Sequence, residues 1–306
     1  MTKALVMFSG GLDSLLAIKI LEKQWIDCTA LTFVTPFFGK TKAEKQAEKF
    51  WIKFMAIDVS NEHFEVLKNP VYWYGKHLNP CIDCHGFMFC TAWKIADEQW
   101  FDIIASWEVL WQRPMSQNKQ ALQNVRKLTW RDILRPMSAK LLEPTSYEEL
   151  WLVDREQLLD IQWRWRNRQI ELADQFWLKD FESPGWWCLL TEWGYTDKLK
   201  LLLEKFPEDT LPLDAELIKH GRIKIFDRGF WIMWRDSESN QKLISLIEGN
   251  DKYSLIELLN ITWPSCVVKT INQSLIMESE LKDRYIEKVS KLQNAKEFQL
   301  KTKKVE

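Results

Sequence analysis

The chain has 306 residues, a formal net charge of −1, and 46% hydrophobic and 28% charged residues. These values exclude a disordered chain and a globally basic nucleic-acid binder, and they leave room for two globular domains. No apolar run approaches the roughly 20 residues of a membrane span, and no signal peptide precedes the first strand. We therefore expect a cytoplasmic protein with no membrane partner, in which six cysteines serve metal binding or catalysis before disulfides.

Strands alternate with helices over the first 180 residues. The pattern predicts strands at 4–8, 28–33, 53–58 and 101–105, a strand and turn at 132–140, and helices at 12–22, 42–50, 85–99, 117–125 and 166–176. Such alternation is typical of an α/β fold with a Rossmann-like parallel sheet and right-handed crossovers.

The pattern changes after about residue 180. Short helices at 195–206, 214–220 and 239–247 then mix with strands at 222–226, 231–235 and 266–269, and a charged helical tail starts at 274. We expect two domains, a nucleotide-binding domain at 1–180 and a smaller α+β domain at 181–306.

The first strand and the first helix are joined by a glycine turn, Ser9-Gly10-Gly11-Leu12-Asp13-Ser14. Backbone N–H groups, two hydroxyls and the positive end of a helix meet in such a turn, and together they bind phosphate. The spacing differs from a Walker loop, which carries a lysine after its last glycine, and from GxGxxG. The sequence therefore predicts a phosphate site of another kind at this turn.

Tryptophan is abnormally frequent, with 18 residues against only 10 glycines. Trp25, Trp51, Trp100 and Trp177 each follow a predicted helix and precede an apolar residue, at the position that favours a left-handed residue such as glycine. Our hypothesis is that most or all of these codons mean glycine in the source organism, since UGA is read as tryptophan in some genetic codes and as glycine in others. The alternative is a tryptophan-rich protein whose indoles stack on bases. The hypothesis predicts tryptophans that are exposed or strained at turns.

Cys81 and Cys84 form a CxxC motif after Asn79-Pro80, at the start of a predicted helix. A helix N-terminus lowers thiol pKa values, so we expect thiolates that bind metal or attack sulfur. Two ligands are too few for zinc or for a cluster. Cys188 is the best third ligand and His85 a candidate fourth, while structural zinc stays a competitor.

The turn Ser9–Ser14 resembles the PP-loop of the ATP pyrophosphatase superfamily, whose members use ATP to adenylate a carbonyl oxygen. Further motifs make the chain similar to the tRNA thiolation enzymes, in particular to short relatives of the tRNA 4-thiouridine synthetase. These motifs are Asn79-Pro-Cys-Ile-Asp-Cys84, Trp111-Gln-Arg-Pro-Met-Ser116, Arg135-Pro-Met-Ser-Ala-Lys140 and Trp186-Trp-Cys-Leu-Leu-Thr191. The segment Trp234–Asn240 resembles the NFACT-R-like RNA-associated module of ribosome quality-control proteins. The chain lacks the THUMP and rhodanese domains of the long synthetases.

This resemblance implies a fold of the adenine nucleotide alpha hydrolase type and assigns roles to single residues. Ser9, Gly10, Gly11 and Ser14 would cradle the ATP phosphates, Asp13 would lie beside Mg²⁺, and Lys140 would neutralise phosphate charge. Cys81, Cys84 and Cys188 would hold a [4Fe-4S] cluster whose fourth iron is open to sulfide. The alternative is zinc, or no metal and a persulfide on Cys84 or Cys188.

The expected reaction is the adenylation of a tRNA uridine carbonyl oxygen by ATP, followed by sulfur insertion and release of AMP. The sulfur donor would be sulfide or a cysteine desulfurase, and a homodimer is compatible with the sequence. Arg113 and Ser116 are candidate contacts to nucleotide or RNA, and Arg155, Arg164, Arg166 and Arg168 are candidate contacts to the tRNA backbone. The basic tail at 282–306 could contact RNA, but its composition favours a solvated helix. Two other functions stay open: a PP-loop enzyme acting on a small molecule, and a non-catalytic, zinc-stapled RNA-binding protein.

Overall fold

The computed structural model describes residues 1–181, 188–233, 237–258, 266–271, 283, 285–287, 290 and 300–303. The chain forms two compact units, Met1–Glu192 and Trp193–Glu306. The first unit ends beyond the boundary expected at 180 and therefore includes Cys188. No helix within the described ranges combines the length and the apolar character needed to cross a membrane.

The first unit is built on a four-stranded parallel sheet. Its strands are β1 (Lys3–Met7), β2 (Asp27–Val34), β3 (Lys53–Asp58) and β4 (Ile103–Ala105), in the order β3-β2-β1-β4. The intervening helices are α1 (Leu12–Glu22), α2 (Thr41–Lys49), α3 (Ser60–Lys68) and α4 (Cys81–Gln99). Three more follow β4: α5 (Lys119–Thr129), α6 (Ser146–Glu149) and α7 (Asn167–Gln175). The predicted Rossmann-like α/β fold is confirmed.

The central strand β1 is buried throughout after its first residue, and α1 behind it is almost wholly buried too. An apolar strand without alternation is typical of a parallel sheet covered on both faces. Chain order reverses between β1 and β4, and ligands of open α/β sheets bind at the carboxyl ends of the strands beside such a reversal. The loop Ser9–Ser14 follows β1 at this edge, and Ser106-Trp107-Glu108 follows β4.

The strand expected at 132–140 is wrong for most of its length. Only Leu134 pairs with the sheet, through an isolated parallel bridge to Ala105, and Ala139–Leu141 form a 3₁₀ turn. The reason is Pro136, which has no N–H to donate to a strand ladder.

Nine tryptophans adopt a left-handed backbone with φ between 55° and 70°. They are Trp25, Trp51, Trp73, Trp100, Trp111, Trp130, Trp151, Trp163 and Trp177. Asp180 is the one other non-glycine residue with positive φ in the described part of the chain. Most of these indoles are exposed, Trp51 by 95% and Trp130 by 89%. The expectation of exposed, strained tryptophans at turns is confirmed.

Several of these tryptophans end a helix in the same way. The N–H after Trp51, on Ile52, donates to the carbonyl of Ala47 at 2.9 Å, and Leu178 after Trp177 donates to Ala173 at 2.8 Å. This six-to-one bond defines the Schellman motif, whose left-handed position is usually glycine. Trp25, Trp100 and Trp151 are followed by the same bond.

The second unit contains a five-stranded antiparallel sheet with the order β5-β6-β8-β7-β9. Its strands are β5 (Arg222–Phe226), β6 (Gly229–Met233), β7 (Tyr253–Leu258), β8 (Cys266–Thr270) and β9 (Leu300–Lys303). The helices are α8 (Trp193–Lys205), α9 (Pro212–His220) and α10 (Ser237–Ile247). The predicted small α+β region is confirmed, whereas the side chains of the motif at 234–240 and most of the tail lie outside the described residues.

A buried ionic cluster joins α9 to the sheet of this unit. The Lys269 ammonium contacts the Asp214 carboxylate and donates to the Asp209 carbonyl at 2.7 Å, and the Tyr253 hydroxyl donates to Asp214 at 2.7 Å. Asp214 and Lys269 are 0% and 3% exposed. A charge buried to this degree is tolerated because its partner and its hydrogen bonds replace water.

We expect Lys269→Met to lower the free energy of unfolding by about 3–5 kcal/mol, because it leaves the Asp214 carboxylate buried without its cation. Lys205→Met is the matched control, since the Asp227 partner of Lys205 is fully exposed and such pairs contribute little. Urea denaturation measures both variants. Equal effects of the two substitutions would contradict a structural role for the buried pair.

Candidate functional site

The loop Ser9–Ser14 is shaped by two glycines with different backbone conformations. Gly10 has φ +73°, and a Cβ on it would lie 2.8 Å from Cα of Ala43 in α2. Gly11 is the extended N-cap residue of α1 and its carbonyl accepts from the N–H of Leu15 at 3.1 Å. Only glycine fits the first position, because both the left-handed backbone and the close approach exclude a side chain.

Two serine hydroxyls converge on the start of α1. The Ser14 hydroxyl donates to the Gly11 carbonyl at 2.8 Å, and the Ser9 oxygen lies 3.4 Å from both the Ser14 oxygen and the Gly11 nitrogen. The helix N-terminus adds free N–H groups and a partial positive charge at the same point. This arrangement can bind the phosphate groups of a nucleotide.

Asp13 lies beside this loop with its two carboxylate oxygens in different surroundings. Oδ2 accepts from Nε2 of Gln112 at 3.0 Å and from the guanidinium of Arg166 at 2.9 Å. Oδ1 is buried and has no hydrogen-bond partner among the described residues. A buried carboxylate oxygen without a donor fits a divalent cation, since Mg²⁺ prefers carboxylate and phosphate oxygens.

A cavity of about 190 Å³ opens beside the loop, at the carboxyl ends of β1 and β2. Apolar walls from Phe8, Phe33 and Phe38 surround the Ser9 end of the PP-loop, and Trp107 closes part of the space. Pockets of this character hold the base of a nucleotide while the polar edge fixes its phosphates.

We expect Gly10→Ala to abolish nucleotide binding, by at least about 100-fold in Kd, because the new methyl group meets the Ala43 backbone and the left-handed conformation is lost. Gly39→Ala is the control, since Gly39 lines the same cavity and a Cβ there meets nothing within 4 Å. Isothermal titration with ATP and Mg²⁺ measures both. Unchanged binding by the Gly10 variant would contradict a phosphate site at this loop.

Trp107 restricts the cavity, which is smaller than the roughly 300 Å³ at which ligand pockets begin. Its side chain is 7% exposed and its ring lies edge-on to His85 at 6.0 Å. Trp107→Gly should therefore enlarge the pocket and tighten ATP binding by about tenfold. Trp165→Gly removes an exposed indole that does not line the pocket and should leave the Kd unchanged. Weaker ATP binding by the Trp107 variant would show that the indole holds the base instead.

The structure brings the three predicted cysteines into one neighbourhood. Cys81 begins α4, and its sulfur accepts from the Asn79 amide at 3.2 Å. Cys84 lies one turn further along the helix, and its backbone N–H donates to the Pro80 carbonyl at 2.8 Å. Burial raises the pKa of Cys84 and negative charge on Cys188 or Cys81 would raise it further, so the three side chains are within electrostatic reach of one another. Within the described ranges, however, no three His, Cys, Asp or Glu side chains stand in ready-made metal-ligand geometry.

The expectation of a lowered thiol pKa is wrong for Cys84, and the pKa of Cys188 is raised as well. Burial raises the pKa of Cys84 well above its ordinary value, with Cys188 and Cys81 adding to the effect, and burial raises the pKa of Cys188 to about 12. The loss of hydration raises the thiol pKa more than a helix N-terminus lowers it, because the buried thiolates would lack contact with water. Without a bound cation these groups are thiols at neutral pH, which are poor free nucleophiles, and metal binding would have to displace their protons.

His63 is a member of this neighbourhood that sequence reasoning missed. It lies on α3, is fully buried, and its Nε2 is 3.1 Å from the Cys84 sulfur. Burial lowers the pKa of His63 to about 4, so the ring is neutral. Nothing in the spacing around His63 distinguishes it from a core histidine, and only the fold places it on the CxxC motif.

A second histidine follows the motif, but the structure directs it away from ligation by its Nδ1. His85 Nδ1 lies 2.8 Å from the Glu108 carboxylate, which also accepts from Arg135 Nε at 3.0 Å and from the Ser106 hydroxyl at 3.1 Å. Burial would raise the pKa of Glu108, but the Arg135 charge and the His85 hydrogen bond outweigh it and lower that pKa to about 2. This buried ionic triad ties the cysteine end of α4 to the end of β4.

The remaining predicted residues lie in several places. Arg166 binds Asp13 rather than lying free for RNA, and Arg168 pairs with Asp160. Lys140 donates to the Glu156 carbonyl at 2.7 Å and to its carboxylate at 3.2 Å, so its phosphate role stays a prediction.

Arg113 is exposed, and its charge lowers the pKa of Cys188 against the larger effect of burial. Arg155 binds Glu148 and two carbonyls, Ser116 is buried, and Arg164 is exposed.

Comparison with known proteins gives a weak likeness to solved structures. A scan against protein-family models finds no match, and a search of curated proteins finds none. Among solved structures, the chain is similar to the predicted subunit of a tRNA methyltransferase from Methanocaldococcus jannaschii. The identity is 20% and the TM-score 0.35, over 44% of this chain and 68% of that one. A likeness of this size carries no argument about function, which has to be judged from the site itself.

Proposed function

We propose that the protein is an ATP-dependent tRNA uridine thiolation enzyme. The observation that carries the proposal is the position of Met88. Its side chain lines the cavity beside the PP-loop, and its sulfur lies 3.7 Å from the Cys84 sulfur. A nucleotide pocket and a thiol site that share one wall can act on the same substrate atom in sequence.

The segment after β4 supports the same arrangement from the other side. Gln112 donates to Asp13 at the PP-loop, and the next residue, Arg113, acts electrostatically on Cys188. Two adjacent residues thus connect the phosphate end and the sulfur end of the site. Arg113 is exposed and cationic, which suits a contact to the phosphate backbone of an RNA substrate.

In the proposed first step a uridine carbonyl oxygen attacks the α-phosphorus of ATP, and pyrophosphate leaves. The loop formed by Ser9, Gly10, Gly11 and Ser14 holds the phosphates, and Asp13 offers its unpartnered oxygen to Mg²⁺. Hydrosulfide then attacks the activated carbon, the carbon–oxygen bond breaks, and AMP leaves. The N3 proton of the uracil goes to solvent when the O-adenylate forms, and the single proton of hydrosulfide ends on N3, so the product is a thiouridine.

Sulfur would be supplied at Cys81, Cys84 and Cys188. Burial raises the pKa values of the Cys84 and Cys188 thiols, and these two residues with Cys81 would suit a [4Fe-4S] cluster, because its positive iron replaces the water that the thiolates lose. Such a cluster, held by three cysteines, would supply an open iron position for sulfide. A persulfide route is less favoured, since it needs an attacking thiolate with a pKa near ambient pH.

The decisive experiment incubates anaerobically purified protein with ATP, Mg²⁺, sulfide and unmodified tRNA, and follows AMP, pyrophosphate and the nucleosides of the digested tRNA. We expect AMP release that depends on tRNA and one sulfur-containing uridine in the product. Cys188→Ala should abolish the thiouridine, whereas Cys90→Ala should retain it, because Cys90 bonds to the Leu128 carbonyl away from the other cysteines. Activity on a small molecule alone would favour the second class of PP-loop enzyme. A complete lack of ATP turnover would favour an RNA-binding protein.

A further inference from the structure

The environment of His63 fixes the orientation of its ring. Phe37 lies 5.7 Å away, Phe38 5.5 Å and Phe87 6.1 Å between ring centroids, the last two edge-on. His63 itself is 0% exposed. Close contact with rings on three sides prevents the imidazole from flipping to exchange its two nitrogens.

The two nitrogens have unequal surroundings. Nε2 lies 3.1 Å from the Cys84 sulfur, while Nδ1 is buried and has no hydrogen-bond partner among the residues that the structure describes. A neutral imidazole carries one N–H and one bare nitrogen. If the proton were on Nδ1, a buried donor would be left unsatisfied, which is rarer in proteins than an unsatisfied acceptor.

The neighbourhood of Cys84 agrees with a proton on Nε2. The Cys84 thiol lies 3.7 Å from the sulfur of Met88, which can only accept. The thiol can therefore direct its own proton to Met88 and accept from His63 through a lone pair. His63 then donates to Cys84 and Cys84 donates to Met88, so that each donor has an acceptor.

We propose that His63 is a positioning residue that donates its Nε2–H to the Cys84 sulfur and aligns that sulfur for its work. The proposal rests on the proposed function in one respect, that Cys84 is a sulfur that handles metal or sulfide. The donor persists when the thiol proton is lost to a bound metal, because the N–H belongs to the histidine. Hydrogen bonds to ligating sulfurs of this kind orient them and raise the reduction potential of a cluster.

The first test is independent of any cluster. Nitrogen-15 spectra of the imidazole in the full chain, freed of metal and checked for folding by circular dichroism, distinguish the two tautomers. We expect His63 as the neutral Nε2–H form, and Cys84→Ala should shift its Nε2 resonance. An Nδ1–H tautomer, or a ring unaffected by Cys84→Ala, would overturn the proposal.

The second test uses the protein loaded with its cluster and applies equally where the metal-free chain does not fold. His63→Phe suits the aromatic cage but has no donor, whereas His63→Gln places an amide N–H near the position of Nε2. We expect the Phe variant to lose iron to a chelator about tenfold faster and to show a more negative reduction potential, and the Gln variant to recover much of both. Equal behaviour of the two variants would overturn the proposal.

The two tests separate this proposal from the proposed function. If the wild-type protein holds neither iron nor zinc, the proposed cluster is contradicted, and the tautomer result alone decides the role of His63. If the wild-type protein contains a cluster but His63 is the Nδ1–H tautomer, the proposed role of His63 is contradicted and the thiolation proposal is not.

Discussion

Replacing the nine left-handed tryptophans with glycine should raise the free energy of unfolding by several kcal/mol. A side chain in the left-handed region costs roughly 1–2 kcal/mol per residue, and glycine gives back roughly 0.5–1 kcal/mol through the greater entropy of the unfolded chain. The net gain is therefore about 0.5–1 kcal/mol at each site. Summed over nine sites, it approaches the whole stability of an ordinary domain.

Single sites separate the backbone effect from the removal of an exposed indole. At Trp51, which is 95% exposed, we expect Trp51→Gly to stabilise and Trp51→Ala to do much less, because alanine keeps the left-handed strain. Trp165 is 81% exposed but has no positive φ, so Trp165→Gly should not stabilise. Urea denaturation of these variants is the measurement. Equal gains at Trp51 and Trp165 would attribute the effect to the indole and not to the backbone.

The same positions support the hypothesis that these codons specify glycine in the source organism. A protein made there should contain glycine in the peptides that span Trp25 and Trp111, and mass spectrometry of the native protein decides this. Intact tryptophan in those peptides would end the hypothesis and leave the strained turns without explanation.

Glu108→Gln should lower the free energy of unfolding by about 3–5 kcal/mol and reduce the occupancy of the cluster proposed at the cysteines. The amide keeps the shape of the carboxylate but leaves the Arg135 guanidinium, which is 8% exposed, without its buried counter-charge. The cysteine end of α4 is then held less firmly, since the contact of His85, next to Cys84, with the Glu108 carboxylate is weakened. Glu156→Gln is the control, because the Glu156 side chain is 86% exposed and its pair with Lys140 contributes little.

The pH dependence of this effect has a definite sign. The pKa of Glu108 is lowered to about 2 in the folded protein, against about 4.3 in an unfolded chain. The stabilisation is therefore complete above the unfolded value and is lost as pH falls towards 2. The difference in stability between wild type and Glu108→Gln should shrink below pH 4, and a difference that grew on acidification would contradict the triad.

The Rossmann-like sheet could be predicted because each of its strands is a short apolar run followed by a helical pattern. Local chemistry also indicated a phosphate site at Ser9–Ser14, since two glycines and two hydroxyls directly after a strand are typical of one. The contacts between distant segments could not be predicted. Glu108, Arg135 and His63 look ordinary in the sequence, and only the order β3-β2-β1-β4 brings them to the cysteines and the loop.

The thiol pKa values also could not be predicted from the sequence alone. A helix N-terminus favours a thiolate, and the sequence places Cys84 at one, but the sequence does not show that α3 and the segment at 188 cover it. Burial then has the larger effect. The sequence likewise does not show that Arg166, predicted to contact RNA, binds Asp13, because the two residues are 153 positions apart.

The most direct test of the thiolation proposal is mass spectrometry of nucleosides from tRNA incubated with the protein, ATP and isotopically labelled sulfide under anaerobic conditions. The proposal predicts one uridine in which labelled sulfur replaces oxygen, formed with one AMP per sulfur and absent with Asp13→Asn or Cys188→Ala. AMP release without labelled sulfur in tRNA, or labelled tRNA formed without ATP, would contradict it.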